Sequence, residues 1–166
     1  MVRRTINKDV CVRIVWLCGL LLFPQQAHVI ELIPRSKVVT YDQFLAALCI
    51  WRESRGQSIQ AMNAIWHVIQ NRVRDPRFPN SIPGVILQPK QFSSFGLGDP
   101  NALQFPSPLR VGDWQAWQNA CQVVQTVLEA DPTDGAVNFE SAQYQRPVWA
   151  KQERLTVTIG PFRFYK

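Results

Sequence analysis

The stretch ALCIWRESRGQS (47–58) places one acid, Glu53, between Arg52 and Arg55, at the end of an apolar run and just ahead of Gly56. If that run is helical, Leu45, Cys49 and Glu53 recur every four residues and share one face. The face is the apolar one, so Glu53 should be partly desolvated and hold its proton more tightly than a surface acid. The two arginines pull the other way, although their long stems can carry the charge to water on either flank. Spacing alone fits two descriptions. One is an ordinary helix-end acid paired with an arginine; the other is a proton donor at the mouth of a cleft. Cleavage of a glycosidic bond needs such a donor, because the leaving oxygen must be protonated as an oxocarbenium-like centre develops.

Other chemistries have less to work with. The histidines are His28 and His67, and no Cys/His cluster has metal-ligand spacing, so neither a metal nor a cofactor is expected. Cys49 and Cys121 fall on apolar helix faces, which favours two buried thiols over a disulfide.

The elements that must position Glu53 follow from periodicity and caps. Thr40 to Gln43 is a capping box opening a helix with Phe44, Leu45, Leu48 and Cys49 at helical spacing, stopped by Gly56. Ser58 caps a second helix bearing Met62, Ile65, Trp66, Ile69 and Val73, and Asp75-Pro76 ends it. Ser81 caps a short helix through Leu87. From Pro89 to Gly112 no period is sustained, and a loop of that length in a compact domain is usually functional. Asp113 is placed to cap a third long helix with Trp114, Trp117, Cys121, Val124 and Leu128 on one stripe, ending at Asp131-Pro132. The end, LTVTIGPFRFYK, alternates as two strands around Gly160-Pro161. Helices with a small C-terminal antiparallel sheet make the class α+β, in one domain spanning 36–166.

The first 35 residues read differently. A basic lead precedes the apolar run Ile14–Phe23, too short for a bilayer-spanning helix but matching the core of a secretory signal. Residues 1–35 are therefore expected to be a signal peptide or signal-anchor plus linker. That implies export, with action in a bacterial envelope or periplasm whether the protein is bacterial or phage-encoded, and membrane association through the segment if it is retained. The net charge of +6 divides evenly, +3 in residues 1–35 and +3 in the remainder. No dense basic patch results, which argues against a nucleic-acid module. The domain is expected to act as a monomer.

Beyond these local signals the chain resembles the SleB-type cell-wall hydrolases. ESRGQS (53–58) is similar to their E-A-R-G-E segment. MNAIWHVIQNRVRDPRFPNSIPGVILQPKQFS (62–93) follows their N-R-V, F-P and V-I-x-Q-P-x-Q-F-S pattern. DPTDGAVNFES (131–141), PVWAK (147–151) and TIGPFRFYK (158–166) continue it in collinear order.

The resemblance implies a lysozyme-like α+β fold acting on peptidoglycan glycan strands. It also implies cleavage of MurNAc–GlcNAc bonds as in lytic transglycosylases, with Glu53 as the single acid/base; a wall-binding module that has lost turnover is the alternative. It points to Ser54 as the second member of a Glu-Ser pair and to Gln91, Phe92 and Ser93 as substrate contacts. Phe139 becomes a candidate cleft floor, with Asn138 and Tyr144 as polar contacts and Arg55 as a carboxylate ligand or a brace. For Phe139 and its neighbours a packed terminal sheet is the competing expectation. Asp99, Asp113 and Glu140 are the acids that could approach Glu53 in the fold. Four positions depart from the pattern: Gln57 replaces a second Glu, Pro83 a frequent Cys, and Glu140 and Ser141 the usual aromatic or His and Asn.

Overall fold

Thr40 begins the first helix as the capping box requires: its hydroxyl accepts from the Gln43 N–H, and the Gln43 side chain accepts from the Thr40 N–H. A computed structural model describes residues 40–126 and 130–166 of the protein. The segment expected to be a signal and linker, and Leu128, lie outside the described residues.

Helix α1 (Tyr41–Ser54) is buried from Leu45 through Arg52 and not along one stripe only. A helix apolar nearly all round belongs at the centre of a domain, and α1 packs on every other helix, most extensively on α4. Ala46 and Ala47, both fully buried, let the neighbours approach closely. Arg55 leaves helical geometry, and Gly56 turns the chain at φ 87, a conformation that favours glycine. Helix α2 (Ile59–Arg74) starts at Ser58, whose hydroxyl accepts from the Ala61 N–H, and α3 (Ile82–Leu87) starts at Ser81 in the same way. Each such cap contributes about 1 kcal/mol.

Helix α4 (Val111–Gln125) departs from the sequence expectation at both ends. Its cap position is Arg110, which has no side-chain capping bond. Asp113 lies inside the first turn, where it pairs back to Arg110 at 3.0 Å. An acid within the first turn meets the positive end of the helix dipole about as well as a capping one, and this is why its type alone misplaced the start. The helix ends at Gln125, with Thr126 capping it, well before Asp131-Pro132.

The sheet contains β1 (Asn138–Ser141), β2 (Leu155–Ile159) and β3 (Phe162–Tyr165) in the order β1-β3-β2, antiparallel throughout. The β2–β3 hairpin turns at Gly160-Pro161, with Gly160 at φ 55 as mirror-image hairpin turns require. Strand β1 places Asn138 and Phe139 in the packed terminal sheet that was the competing expectation for them. It pairs Phe139 with Phe164 and Glu140 with Arg163, so alternation divides the two kinds of side chain between faces. Phe139, Phe162 and Phe164 form one aromatic cluster on the core side, with centroids 5.7 and 5.9 Å from Phe139, and Phe92 joins it at 6.3 Å. Cys49 and Cys121 are buried free thiols. Among the described residues no helix is long and apolar enough to cross a membrane.

Candidate functional site

The last turn of α1 delivers Arg52 and Glu53 to a cleft of about 430 Å³ between the helices, the 89–105 loop and strand β1. Glu53 is half-buried, and its Oε1 accepts a 2.6 Å hydrogen bond from the Ser94 hydroxyl. Burial is the main influence on its carboxyl and pushes it above the usual carboxylate range. The Ser94 hydroxyl and backbone N–H oppose that push, the charge of Asp99 adds to it, and Arg72 opposes it more weakly. Glu53 thus holds its proton at higher pH than a surface glutamate while keeping one strong acceptor bond to steady its anion. Arg52 and Arg55 do not neutralise it. Their guanidinium groups turn away into the loop, as the contacts below show.

Loop geometry depends on Arg52. The chain from Pro89 to Arg110 has little regular structure, only a single 3-10 turn at Ser93–Phe95. Arg52 supplies what a helix or strand would have given. Its guanidinium donates to the carbonyls of Ser94 (3.1 Å), Ala102 (2.9 Å) and Gln104 (3.1 and 3.2 Å). It also lies over the rings of Phe95 (4.7 Å) and Phe105 (5.3 Å). Arg55 stacks over Trp51 at 4.7 Å and donates to Asn101 Oδ1 at 2.7 Å. Arg55 is therefore a brace for the loop and lies outside the cleft lining.

Of the expected contacts, Glu53, Gln91, Ser93, Phe139 and Tyr144 line the one cleft. Besides Arg55, three others do not. Ser54 is buried with its hydroxyl donating to the Ile50 carbonyl at 2.7 Å, a bond that closes it within its own helix. Phe92 is a core residue against Phe139, with Arg72 over its ring at 5.2 Å. Asn138 faces the Arg72 side chain, its Oδ1 accepting at 3.4 Å. The Phe139 ring lines the cleft and also packs into the aromatic cluster.

Of the acids that might have joined Glu53, only Glu140 lines the cleft; Asp99 and Asp113 do not. Its Oε1 accepts from Tyr165 Oη (3.0 Å) and pairs with Arg163 Nη1 (3.0 Å). Gln57, standing where the resembled pattern carries a glutamate, also lines it.

Sequence reasoning missed Ser94 and Lys90. Ser94 is one residue from the expected Ser93, and the 3-10 turn sends the two hydroxyls to different environments: Ser93 is exposed and Ser94 is buried. Arg72 ties α2 to the lead of β1 through a 2.6 Å bond from Nε to the Val137 carbonyl, while its buried Nη1 has no partner among the described residues. Burial lowers this guanidinium to about 10. Among the described residues no group of His, Cys, Asp or Glu side chains could hold a metal ion.

An α+β domain with one desolvated acid in an open polar cleft defines a class of fold and site, and the comparisons place it. Residues 56–165 match the cell wall hydrolase family, and the chain belongs to that family. Over 57 residues it is 41% identical to the spore cortex-lytic enzyme of Bacillus subtilis (strain 168), covering 34% of this chain and 19% of that protein. It is 39% identical over 57 residues to the spore cortex-lytic enzyme of Bacillus cereus, covering 22% of that protein. The matched stretch thus spans about a fifth of the curated relatives' length. The catalytic domain of the Bacillus cereus SleB protein superposes with a TM-score of 0.59 at 25% identity, covering 82% of this chain and 97% of that one. The catalytic domain of the germination-specific lytic transglycosylase SleB from Bacillus anthracis superposes at 0.58 and 25% identity, covering 81% and 100%. The lysozyme-like α+β class expected from the resemblance is the class observed.

Proposed function

We propose that residues 36–166 are the catalytic domain of an exported peptidoglycan-cleaving enzyme that breaks MurNAc–GlcNAc bonds by lytic transglycosylation, with Glu53 as acid and then base. The observation that carries the reading is the state of Glu53: half-buried in an open polar cleft, its carboxyl pushed up by burial, its Oε1 held by Ser94.

The steps follow from that state. Protonated Glu53 gives its proton to the glycosidic oxygen as the C1–O bond breaks and positive charge develops on the muramoyl ring. The resulting carboxylate, steadied by Ser94, takes the proton of the muramoyl 6-hydroxyl as that oxygen closes on C1. A 1,6-anhydro end forms and Glu53 is protonated again. Gln91, Ser93 and Tyr144 offer hydrogen bonds to sugar hydroxyls or the N-acetyl group, and Phe139 offers an apolar face beneath a ring.

Glu140 favours a second reading. A carboxylate paired with Arg163 and hydrogen-bonded by Tyr165 in the same cleft could orient a water molecule or shield the oxocarbenium, and the enzyme would then be a hydrolase with two acids.

One assay separates the readings. The full-length protein is incubated with purified murein and the released fragments are analysed by mass spectrometry. Anhydro ends that vanish in Glu53→Gln, with the fold intact by circular dichroism, support the transglycosylase; a general acid contributes about 10²–10⁴ in rate. Reducing ends that vanish in Glu140→Gln make it a hydrolase. No soluble product from a folded wild-type protein leaves a binding module.

A further inference from the structure

Lys90 occupies a backbone position that ordinarily selects glycine. Gln88, Pro89, Lys90 and Gln91 form a turn closed by the Gln91 N–H on the Gln88 carbonyl at 3.2 Å. Proline at the second position and a left-handed third residue are the pattern of a type II turn, and here the third residue is Lys90 at φ 66. Glycine or asparagine takes this position at little cost, whereas a long side chain is strained there. Strain of this kind persists where the surroundings impose it, and it concentrates at binding sites.

Lys90 lines the same cleft as Glu53 and directly precedes Gln91. The other cations of the lining are committed. Arg52 is spent on the loop carbonyls, and Arg72 is buried beneath the rim, tied to Val137 through Nε with only its buried Nη1 unpartnered among the described residues. Lys90 is exposed, and among the described residues no carboxylate pairs with it. Glu140, the remaining acid of the lining besides Glu53, is already satisfied by Arg163 and Tyr165. The cleft therefore offers one uncommitted positive charge at its rim, held there by a strained turn.

We propose that Lys90 is a specificity residue that reads a carboxylate carried by the muramoyl unit, so that the enzyme favours strands bearing free peptide-stem carboxylates over neutral ones. The proposal rests on the glycan-cleaving reading above. The same chemistry could come from a bare lactyl carboxylate, and the experiment distinguishes the two.

Full-length wild type, Lys90→Gln and Lys90→Gly are compared on three soluble glycan preparations of equal chain length. One carries intact stems, one has its carboxylates capped as methylamides, and one has been stripped by an amidase to leave only the lactyl carboxylate. For an exposed ion pair the wild-type preference for intact over capped strands should be about three- to five-fold in kcat/KM, fading at high salt. In both variants the ratio should fall to about one. Only Lys90→Gly should also raise Tm, because glycine relieves the turn. Stripped strands favoured over both intact and capped ones, with these two cleaved alike, assign the contact to the lactyl group and overturn the stem reading. A wild-type ratio of one, or a ratio unchanged in both variants, overturns the proposal outright. Failure of wild type to cleave any of the three strands overturns the glycan-cleaving reading itself, and this one with it.

Discussion

Replacing Arg52 by alanine should loosen the long loop and the site together. The guanidinium makes four hydrogen bonds to three carbonyls, at 2.9 to 3.2 Å, and stacks on two rings, with only 7% of the residue exposed. Hydrogen bonds from a charged donor contribute about 1.5–3 kcal/mol each, but bonds from one group to one loop are not additive. The carbonyls of Ala102 and Gln104 are near the surface and would regain water, whereas that of Ser94 is buried and would not. A loss of about 3–4 kcal/mol results, a large share of the 5–15 kcal/mol typical of a domain. Tm should fall by about 10–15 °C. Arg52→Lys should recover less than half of this, because a single ammonium cannot serve three carbonyls from one plane. Thermal melts give the magnitude, and amide exchange gives the location. Protection of the Gly96, Ala102 and Gln104 N–H groups, which bond to Ser93, Asp99 and Asn101, should drop while that of α2 stays. A loss below about 1 kcal/mol, or loop protection that survives the substitution, would refute the idea that Arg52 organises the loop.

Two further substitutions test the frame around the site. Gly84→Ala should destabilise by about 1–3 kcal/mol in a urea titration. The new Cβ would lie 2.7 Å from Pro79 Cβ and 2.8 Å from Ser81 Oγ, reversing the usual gain of alanine in a helix. Asp131→Asn should cost about 1–2 kcal/mol at neutral pH, a figure reduced for the screening that its partial exposure to water allows. Although burial alone would raise its carboxyl, bonds from Asn71, Thr133 and Gly135 bring it from 3.8 to about 2. Because the folded value is the depressed one, its contribution is complete above pH 3.8 and disappears as pH falls through about 2. The melting curves of wild type and of the Asp131→Asn variant should therefore converge in that window. A cost that persists unchanged at pH 2 would show that the turn does not depend on the charge.

Local chemistry made the first half of the fold legible. Caps at Thr40, Ser58 and Ser81 act within three residues, and the stops at Gly56 and Asp75-Pro76 follow from backbone geometry of single residues. Strand β1 was legible only as a competing packed sheet around Phe139, without bounds or register, because NFES is four residues long and its partner begins more than twenty positions later. Nothing in so short a segment carries a period. The loop resisted for a different reason. Arg52 to Gln104 spans 52 positions, and an arginine that bonds to carbonyls leaves no mark on the type of residue it bonds to. For the same reason Ser93 was named and Ser94 was not: a 3-10 turn decides which of two adjacent hydroxyls reaches Glu53.

These long-range bonds also answer why an acid between two arginines can keep its proton. In sequence Arg52 and Arg55 look like counter-charges to Glu53. In the fold each is drawn off by neutral acceptors, Arg52 by backbone carbonyls and Arg55 by Asn101 and the Trp51 ring. A guanidinium turned toward a loop leaves the carboxylate desolvated and, among the described residues, without an ion pair, so burial governs its protonation. The same Arg52 fixes the Ser94 carbonyl while the Ser94 hydroxyl donates to Glu53. Positioning the acid and withholding its counter-charge are thus one structural act, performed by a residue adjacent to it in the chain.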